Sequence, residues 1–144
     1  MKGFSRRVLL SGLALSVLPA VAAGQQRPAF AVGQEWAVPD LPEGHAFIGL
    51  IDDINGVRVI HVSLLLNGLP EYGERADSGS NYGHLAFTEG AFAASIGDLE
   101  EASTDLPEGY RSDYARWQQH PFVIPMPIGQ FIRESKAFEL RHTT

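Results

Sequence analysis

The sequence predicts a single small α+β domain, in which two or three short helices pack on an antiparallel sheet. Three observations predict this class. Two apolar, β-branched segments flank Asn55-Gly56, and a later segment carries aromatic residues at helical spacing. The chain that follows the first 23 residues is about 120 residues long, the usual size of one domain. We therefore predict a signal peptide over residues 1–23 and one α+β domain over residues 24–144.

The central predicted element is a β-hairpin over residues 45–66. Asn55-Gly56 favours a type I′ turn because both central positions of that turn need a positive φ. A two-residue loop also fixes the register of the strands that it joins. The predicted partners are Ile54 with Val57, Asp53 with Arg58, Asp52 with Val59, Ile51 with Ile60, Leu50 with His61, Ile48 with Ser63 and Phe47 with Leu64.

This register divides the side chains of the hairpin between two faces of the sheet. The predicted core face carries Phe47, Ile51, Ile60, Val62, Leu64 and Leu66. The opposite face is mixed, and we expect it to be partly exposed to solvent or covered by a loop or a helix. It carries Ile48, Leu50, Asp52, Val59, His61, Ser63 and Leu65.

The mixed face holds the first candidate site, because Asp52 and His61 become diagonal neighbours there. Together with Ser63 they have the composition of a catalytic triad. A regular strand does not expose a serine hydroxyl on a strained turn, and no oxyanion donors are evident. We therefore expect a solvated polar face, on which replacing His61 by alanine changes stability by no more than about 0.5 kcal/mol.

His84 is the second candidate. It follows residues 67–83, a Gly-, Ser-, Asn- and Asp-rich segment that is predicted to be a long loop. We expect Thr88 to cap the next helix and Phe92 to face inward. A histidine between a loop and a helix start suits catalysis, but a hydrogen-bonded structural role is more common and is favoured.

The remaining elements are read from shorter patterns. Val32, Trp36 and Val38 indicate a first strand, and the alternation around Leu99 favours another strand over a helix. Tyr110, Tyr114 and Trp117 fall on one helical face, for which core packing is favoured over a ligand or partner surface. A last helix is predicted from near Pro127, with inward residues Ile128, Phe131, Ile132 and Phe138.

The first residues have the three parts of a cleaved signal peptide. Lys2, Arg6 and Arg7 precede a run without charge from Val8 to Ala23, which is shorter than the roughly 20 residues of a membrane-spanning helix and ends in small residues. The segment Ser5-Arg6-Arg7-Val8-Leu9-Leu10 resembles the twin-arginine export signal. This resemblance implies export of the folded protein to the periplasm. An ordinary secretory signal is the alternative.

Charge and composition exclude several classes of partner. Beyond residue 23, eight Arg and Lys oppose seventeen Asp and Glu, so the net charge of the predicted mature chain is about −9. Nucleic acid and anionic membrane surfaces are therefore not expected partners. Cysteine is absent, which excludes disulfides and thiolate metal ligands.

Sequence motifs for the common cofactor and metal chemistries are missing. There is no phosphate-binding glycine loop, no Gly-x-Ser-x-Gly and no His-Glu-x-x-His. His45, His61, His84 and His120 do not have the spacing of metal ligands, although residues distant in sequence could still assemble a site. We predict no cofactor and no bound metal.

Three short motifs resemble those of a group of small uncharacterised exported bacterial proteins. They are Gly33-Gln34-Glu35-Trp36, His84-Leu85-Ala86-Phe87, and Leu106-Pro107-Glu108-Gly109-Tyr110 with Trp117 downstream. The resemblance implies a single α+β domain. It implies no catalytic residue, because the group has no established activity.

Two hypotheses of function follow from the sequence. The first is a periplasmic, non-enzymatic binding module that engages a protein or a cell-envelope component. The second is a small periplasmic hydrolase or metal-dependent enzyme that uses His61 with Asp52, or His84. A cleft in which His61 and His84 lie within about 6 Å of each other would favour the enzyme.

Overall fold

The fold is seen in a computed structural model, which describes residues 28–41, 43–66 and 82–142. The predicted signal peptide and almost all of the predicted loop over residues 67–83 lie outside these residues. The elements in chain order are β1 (Gln34–Ala37), β2 (Gly44–Ile54), β3 (Val57–Leu66), β4 (Tyr82–Thr88), α1 (Glu89–Ala93), β5 (Leu99–Ala102), α2 (Tyr110–Gln119) and α3 (Ile128–His142). The strands form one antiparallel sheet in the order β4-β3-β2-β1-β5, so the α+β class is confirmed.

The predicted hairpin is formed by β2 and β3. Asn55 and Gly56 both have positive φ, 52° and 80°, as a type I′ turn requires. The predicted register is confirmed from the turn as far as Leu50, which pairs with His61. Beyond this point the register shifts, and the predictions made there are wrong: Ile48 pairs with Val62 and Phe47 with Ser63.

The cause of the shift is a β-bulge at Gly49, which inserts one extra residue into β2. A Cβ atom at Gly49 would overlap the ring of Tyr110 on α2, so glycine lets that helix approach the strand closely. The bulge also exchanges the faces of the residues before it. Ile48 lies in the core, contrary to prediction, and Phe47 is buried on the opposite face.

The apolar core lies between one face of the sheet and helices α1 and α3. Thr88 caps α1 as predicted, its hydroxyl accepting a hydrogen bond of 3.2 Å from the backbone N–H of Ala91, and Phe92 is fully buried. Ile128 and Ile132 of α3 are also fully buried. The inward prediction is wrong for Phe138, which is 57% exposed. It lies almost two helical turns beyond Ile132, the last residue of the core cluster.

Strand β1 pairs with β2 on one side and with β5 on the other, and β5 forms this edge of the sheet. The predicted strand around Leu99 is confirmed as β5. Trp36 and Val38 are buried as expected, but Val32 is 58% exposed and precedes β1.

Helix α2 covers the opposite face of the sheet over β3 and β4. Two glycines allow its close approach, because a Cβ at Gly83 would overlap Asp113 of α2 just as one at Gly49 would overlap Tyr110. Val59, His61 and Ser63 are fully buried in consequence. The expectation of a solvated polar face is therefore wrong for His61 and Ser63, where the covering helix is the correct alternative, whereas Asp52 on the same face is exposed.

Candidate functional site

Two histidines meet under helix α2. His61 lies on β3 and His84 on β4, and the pairing of His61 with Ala86 makes them diagonal neighbours on one face of the sheet. The Nδ1 atom of His61 lies 2.8 Å from the Nε2 atom of His84, a hydrogen-bond distance. His84 therefore sits inside a strand. Its predicted place between a loop and a helix start is wrong, because β4 begins at Tyr82.

The aromatic stripe of α2 covers this pair. The rings of Tyr114 and Trp117 lie 5.7 and 5.0 Å from the ring of His61, and the ring of Tyr110 lies 5.5 Å from that of His84. The stripe thus packs on histidines and not in the apolar core cluster, where the sequence favoured placing it. Aromatic edges and faces around an imidazole favour specific orientations of the ring and exclude water from it.

Burial keeps both imidazoles neutral at pH 7. It lowers the pKa of His61, an effect that the carboxylate of Asp52 partly opposes. Burial, and then the charge of neighbouring His61, lowers the pKa of His84 to about 4. A neutral imidazole has one N–H and one bare nitrogen, so one ring of the pair donates the shared hydrogen bond and the other accepts it.

The outer nitrogens of the pair have no hydrogen-bond partner in the described part of the chain. These atoms are Nε2 of His61 and Nδ1 of His84, and the hydroxyl of Tyr110 is likewise buried without one. Burial, and then neighbouring Tyr114, raises the pKa of Tyr110, which keeps its hydroxyl protonated. A buried polar atom without a partner costs about 1–3 kcal/mol. In a native protein such a group calls for a specific explanation, and an absent ligand is one.

A pocket of about 220 Å³ opens beside His84. Its lining residues are His84, Asp113, Arg116, Trp117, His120 and Phe122. Arg116 and Asp113 form an ion pair of 3.4 Å, and the indole N–H of Trp117 donates a hydrogen bond of 2.7 Å to the backbone oxygen of Phe122. The pocket therefore combines a buried imidazole, two aromatic surfaces and a charge pair.

A larger surface depression, of about 590 Å³, lies along residues 104–112. All of its lining residues come from one continuous stretch of chain. It brings together no side chains that are distant in sequence, and it contains neither histidine of the pair. We therefore assign the candidate site to the smaller pocket.

The other parts of the predicted triad do not join the histidines. Asp52 is exposed, and its Oδ1 accepts a hydrogen bond of 2.8 Å from the backbone N–H of Asp53. The hydroxyl of Ser63 is buried and donates a hydrogen bond of 2.6 Å to the backbone oxygen of Gly83. Neither group is placed to act on an imidazole as a triad member would.

The remaining histidine candidates lie elsewhere. His120 follows the last residue of α2 and lines the pocket, so the fold brings it to the same site as His84. His45 lies on β2 beside the carboxylates of Glu35 and Glu100. No pattern in the sequence predicted the pocket at the end of α2. Gly49, a glycine inside a predicted strand, was the available indication that another part of the chain approaches the sheet there, whereas Gly83 lay in the predicted loop.

Comparison with known proteins adds no assignment. No protein-family model matches the sequence, and no curated protein and no solved structure matches it significantly. In the described ranges no helix is long and apolar enough to cross a membrane.

Proposed function

We propose that this protein is an exported, periplasmic binding module without enzymatic activity, and that it binds its ligand in the pocket beside His84. One observation carries the proposal. His84 is only 7% exposed, yet it lines the pocket and its Nδ1 atom has no partner among the residues described. A ligand that hydrogen-bonds this nitrogen would remove the cost of leaving it unpaired.

The histidine pair can adapt to the ligand. If His61 donates the shared hydrogen bond, His84 Nδ1 carries a proton and presents a donor; in the opposite tautomer the same atom is an acceptor. The rings of Trp117 and Phe122 supply apolar contact next to this polar point. Apolar walls with a few convergent polar groups are typical of binding sites for small molecules.

The size of the pocket limits the ligand. About 220 Å³ is below the roughly 300–1,000 Å³ of pockets that enclose drug-sized molecules. We therefore propose a small polar molecule, or one side chain or headgroup of a protein or cell-envelope partner. Phe122 is 54% exposed at the rim, where it would contact the rest of a larger partner.

Support for export comes from the sequence. The cationic start, the short uncharged run and the Arg6-Arg7 pair have the pattern of a twin-arginine signal, and the acidic chain that follows lacks cysteine. Residues 1–26 fused to a reporter that folds only in the cytoplasm should direct its export, and replacing Arg6 and Arg7 by lysine should abolish it. Export that survives the double replacement would indicate an ordinary secretory signal.

A hydrolase is the second candidate, and the contact between the histidines favours it. Their nitrogens lie 2.8 Å apart beside a pocket, well inside the separation of about 6 Å that would favour the enzyme. The lining residues include no hydroxyl or thiol to act as a nucleophile. Asp52 is exposed to solvent and does not line the pocket. Such an enzyme would have to activate water through a titratable group of the lining, His84, His120 or Asp113.

The test is a thermal-shift panel of small amines, carboxylates, amides, sugars and heteroaromatic compounds. A fragment with a Kd of about 1 mM, present at about 10 mM, stabilises the folded state by about 1.4 kcal/mol and raises Tm by about 5 °C. Binding should disappear in Phe122→Ala and His120→Ala, two exposed lining positions. Val57→Ala, at an exposed apolar position beside the hairpin turn, is the control and should retain binding.

Three outcomes decide between the hypotheses. A saturable ligand that depends on Phe122 and His120 supports the binding module. A ligand whose affinity is unchanged in both variants, or the absence of any binder in the panel, contradicts it. Chemical conversion of a bound compound, with a rate that His84→Gln abolishes although this variant still unfolds cooperatively, establishes the enzyme instead.

A further inference from the structure

A second polar cluster lies on strands β1, β2 and β5, away from the histidine pair's strands. It consists of Glu35, His45 and Glu100, one from each strand. The Nδ1 atom of His45 lies 2.5 Å from Oε2 of Glu100 and 3.2 Å from Oε1 of Glu35. The nitrogen and the two carboxylate oxygens all lie within 4.8 Å of one another.

The sheet itself brings these side chains together. Glu35 and His45 are diagonal neighbours across the β1–β2 pair. The β1–β5 pair is irregular at this point, and Glu100 is the extra residue on β5: Glu35 pairs with Glu101, and Trp36 with Leu99. A bulge of this kind re-aims a side chain, here toward the face that carries the other two groups.

The surroundings of the Nδ1 atom of His45 suit a ligand-binding nitrogen. The atom is enclosed although the side chain as a whole is 24% exposed. Neither carboxylate contact is aligned as a hydrogen bond, so the nitrogen has short neighbours but no hydrogen-bond partner in the described ranges. Two acidic oxygens and an imidazole nitrogen are thus held around one point.

We propose that Glu35, His45 and Glu100 bind a divalent transition-metal cation, of which Zn²⁺ is the representative. Two carboxylates and a neutral imidazole supply a charge of −2, which the cation balances. An imidazole ligand selects zinc and its first-row neighbours over Mg²⁺ and Ca²⁺, which prefer oxygen ligands alone. This proposal departs from the expectation of no metal, which rested on ligand spacing in the sequence.

The geometry fits such an ion after one adjustment. Zn²⁺ binds nitrogen and carboxylate oxygen at about 2.0–2.2 Å, so tetrahedral ligands lie about 3.4 Å from each other. The separation between His45 and Glu35 already agrees, at 3.2 Å. Glu100 must retreat by about 1 Å, and its side chain, 40% exposed, has room to rotate. Three protein ligands leave a fourth position for water, as in open zinc sites.

The experiment is a calorimetric titration of the untagged protein with Zn²⁺. We expect one bound ion per chain. Glu35→Gln and His45→Gln should each weaken binding at least about tenfold, since even the loss of an outer hydrogen bond to a ligand costs 10- to 100-fold. Glu101→Gln is the matched control, because it removes one carboxylate charge from β5 at the position next to Glu100 and outside the cluster. Its affinity should stay within about twofold.

A second measurement needs no variant. The ¹⁵N shifts of the imidazoles in the wild-type protein should change on adding Zn²⁺ at Nδ1 of His45 and not at the nitrogens of His61 or His84. Absence of binding at 1 mM Zn²⁺ would leave the cluster as a contact between one histidine and two carboxylates and would overturn the proposal. Equal weakening by Glu101→Gln, or shifts at His61 and His84 alone, would also overturn it.

Discussion

The buried histidine pair makes stability depend on pH in a predictable direction. The pKa of His84 is lowered by burial to about 4, whereas that of an unfolded histidine is about 6.5. Between these values the unfolded chain binds a proton that the folded chain does not, so acid favours unfolding. The stability that neutral His84 confers is complete above pH 6.5 and is lost as the pH falls toward 4.

The magnitude follows from the two pKa values. For one group, lowering the pH from 7 to 5 costs about 2 kcal/mol of unfolding free energy, and lowering it to 4 costs about 3 kcal/mol. Burial lowers the pKa of His61 as well, which adds to the effect. A loss of 2 kcal/mol is a large part of the 5–15 kcal/mol that stabilises a typical domain.

The assay is urea unfolding at a series of pH values, and the quantity compared is the slope of unfolding free energy against pH. His84→Gln keeps a hydrogen-bonding partner for His61 but cannot titrate. Between pH 7 and 5 its unfolding free energy should therefore fall by about 2 kcal/mol less than that of the wild type, a slope shallower by about 1 kcal/mol per pH unit. Val57→Ala changes an exposed position without altering any titrating group, so it is the control and should leave the slope unchanged. Identical slopes in wild type and His84→Gln would refute the reasoning, and would show that the pair holds a shared proton that burial does not expel.

Three further predictions rest on the packing of α2 and on the hairpin, and all are measured as shifts in the urea midpoint. His61→Ala should lower the free energy of unfolding by about 3 kcal/mol, close to the roughly 2–5 kcal/mol expected for Ile60→Ala. The substitution opens a cavity under α2 and leaves the partner imidazole unpaired. A loss below about 0.5 kcal/mol would mean that α2 does not cover this face. Gly49→Ala should cost about 1–3 kcal/mol, since the new methyl group overlaps Tyr110, and a neutral effect would contradict the bulge. Gly56 has open space around it but a φ of +80°, which a valine adopts only with strain. Gly56→Val should therefore lower the free energy of unfolding by about 1–3 kcal/mol through backbone strain alone. An unchanged midpoint would argue against the type I′ turn.

Local patterns in the sequence were sufficient for most elements of the fold. The turn at Asn55-Gly56 fixed the pairing near it, because a two-residue loop allows one register and its conformation depends only on those two residues. Thr88 marked a helix start, and the spacing of Tyr110, Tyr114 and Trp117 marked another helix. These features depend on residues a few positions apart, so they are readable without knowledge of what packs against them.

Only the tertiary structure decided the register beyond Gly49, the burial of His61 and both candidate sites. The bulge depends on Tyr110, which lies on another element, and the histidines that meet are 23 residues apart in the chain. Alternation along β3 shows that His61 and Ser63 share a face, but not whether water or a helix covers that face. Glu35, His45 and Glu100 likewise converge through the order of the strands in the sheet. Contacts between distant residues form when the elements pack, and a pattern read along one element contains no information about its partner.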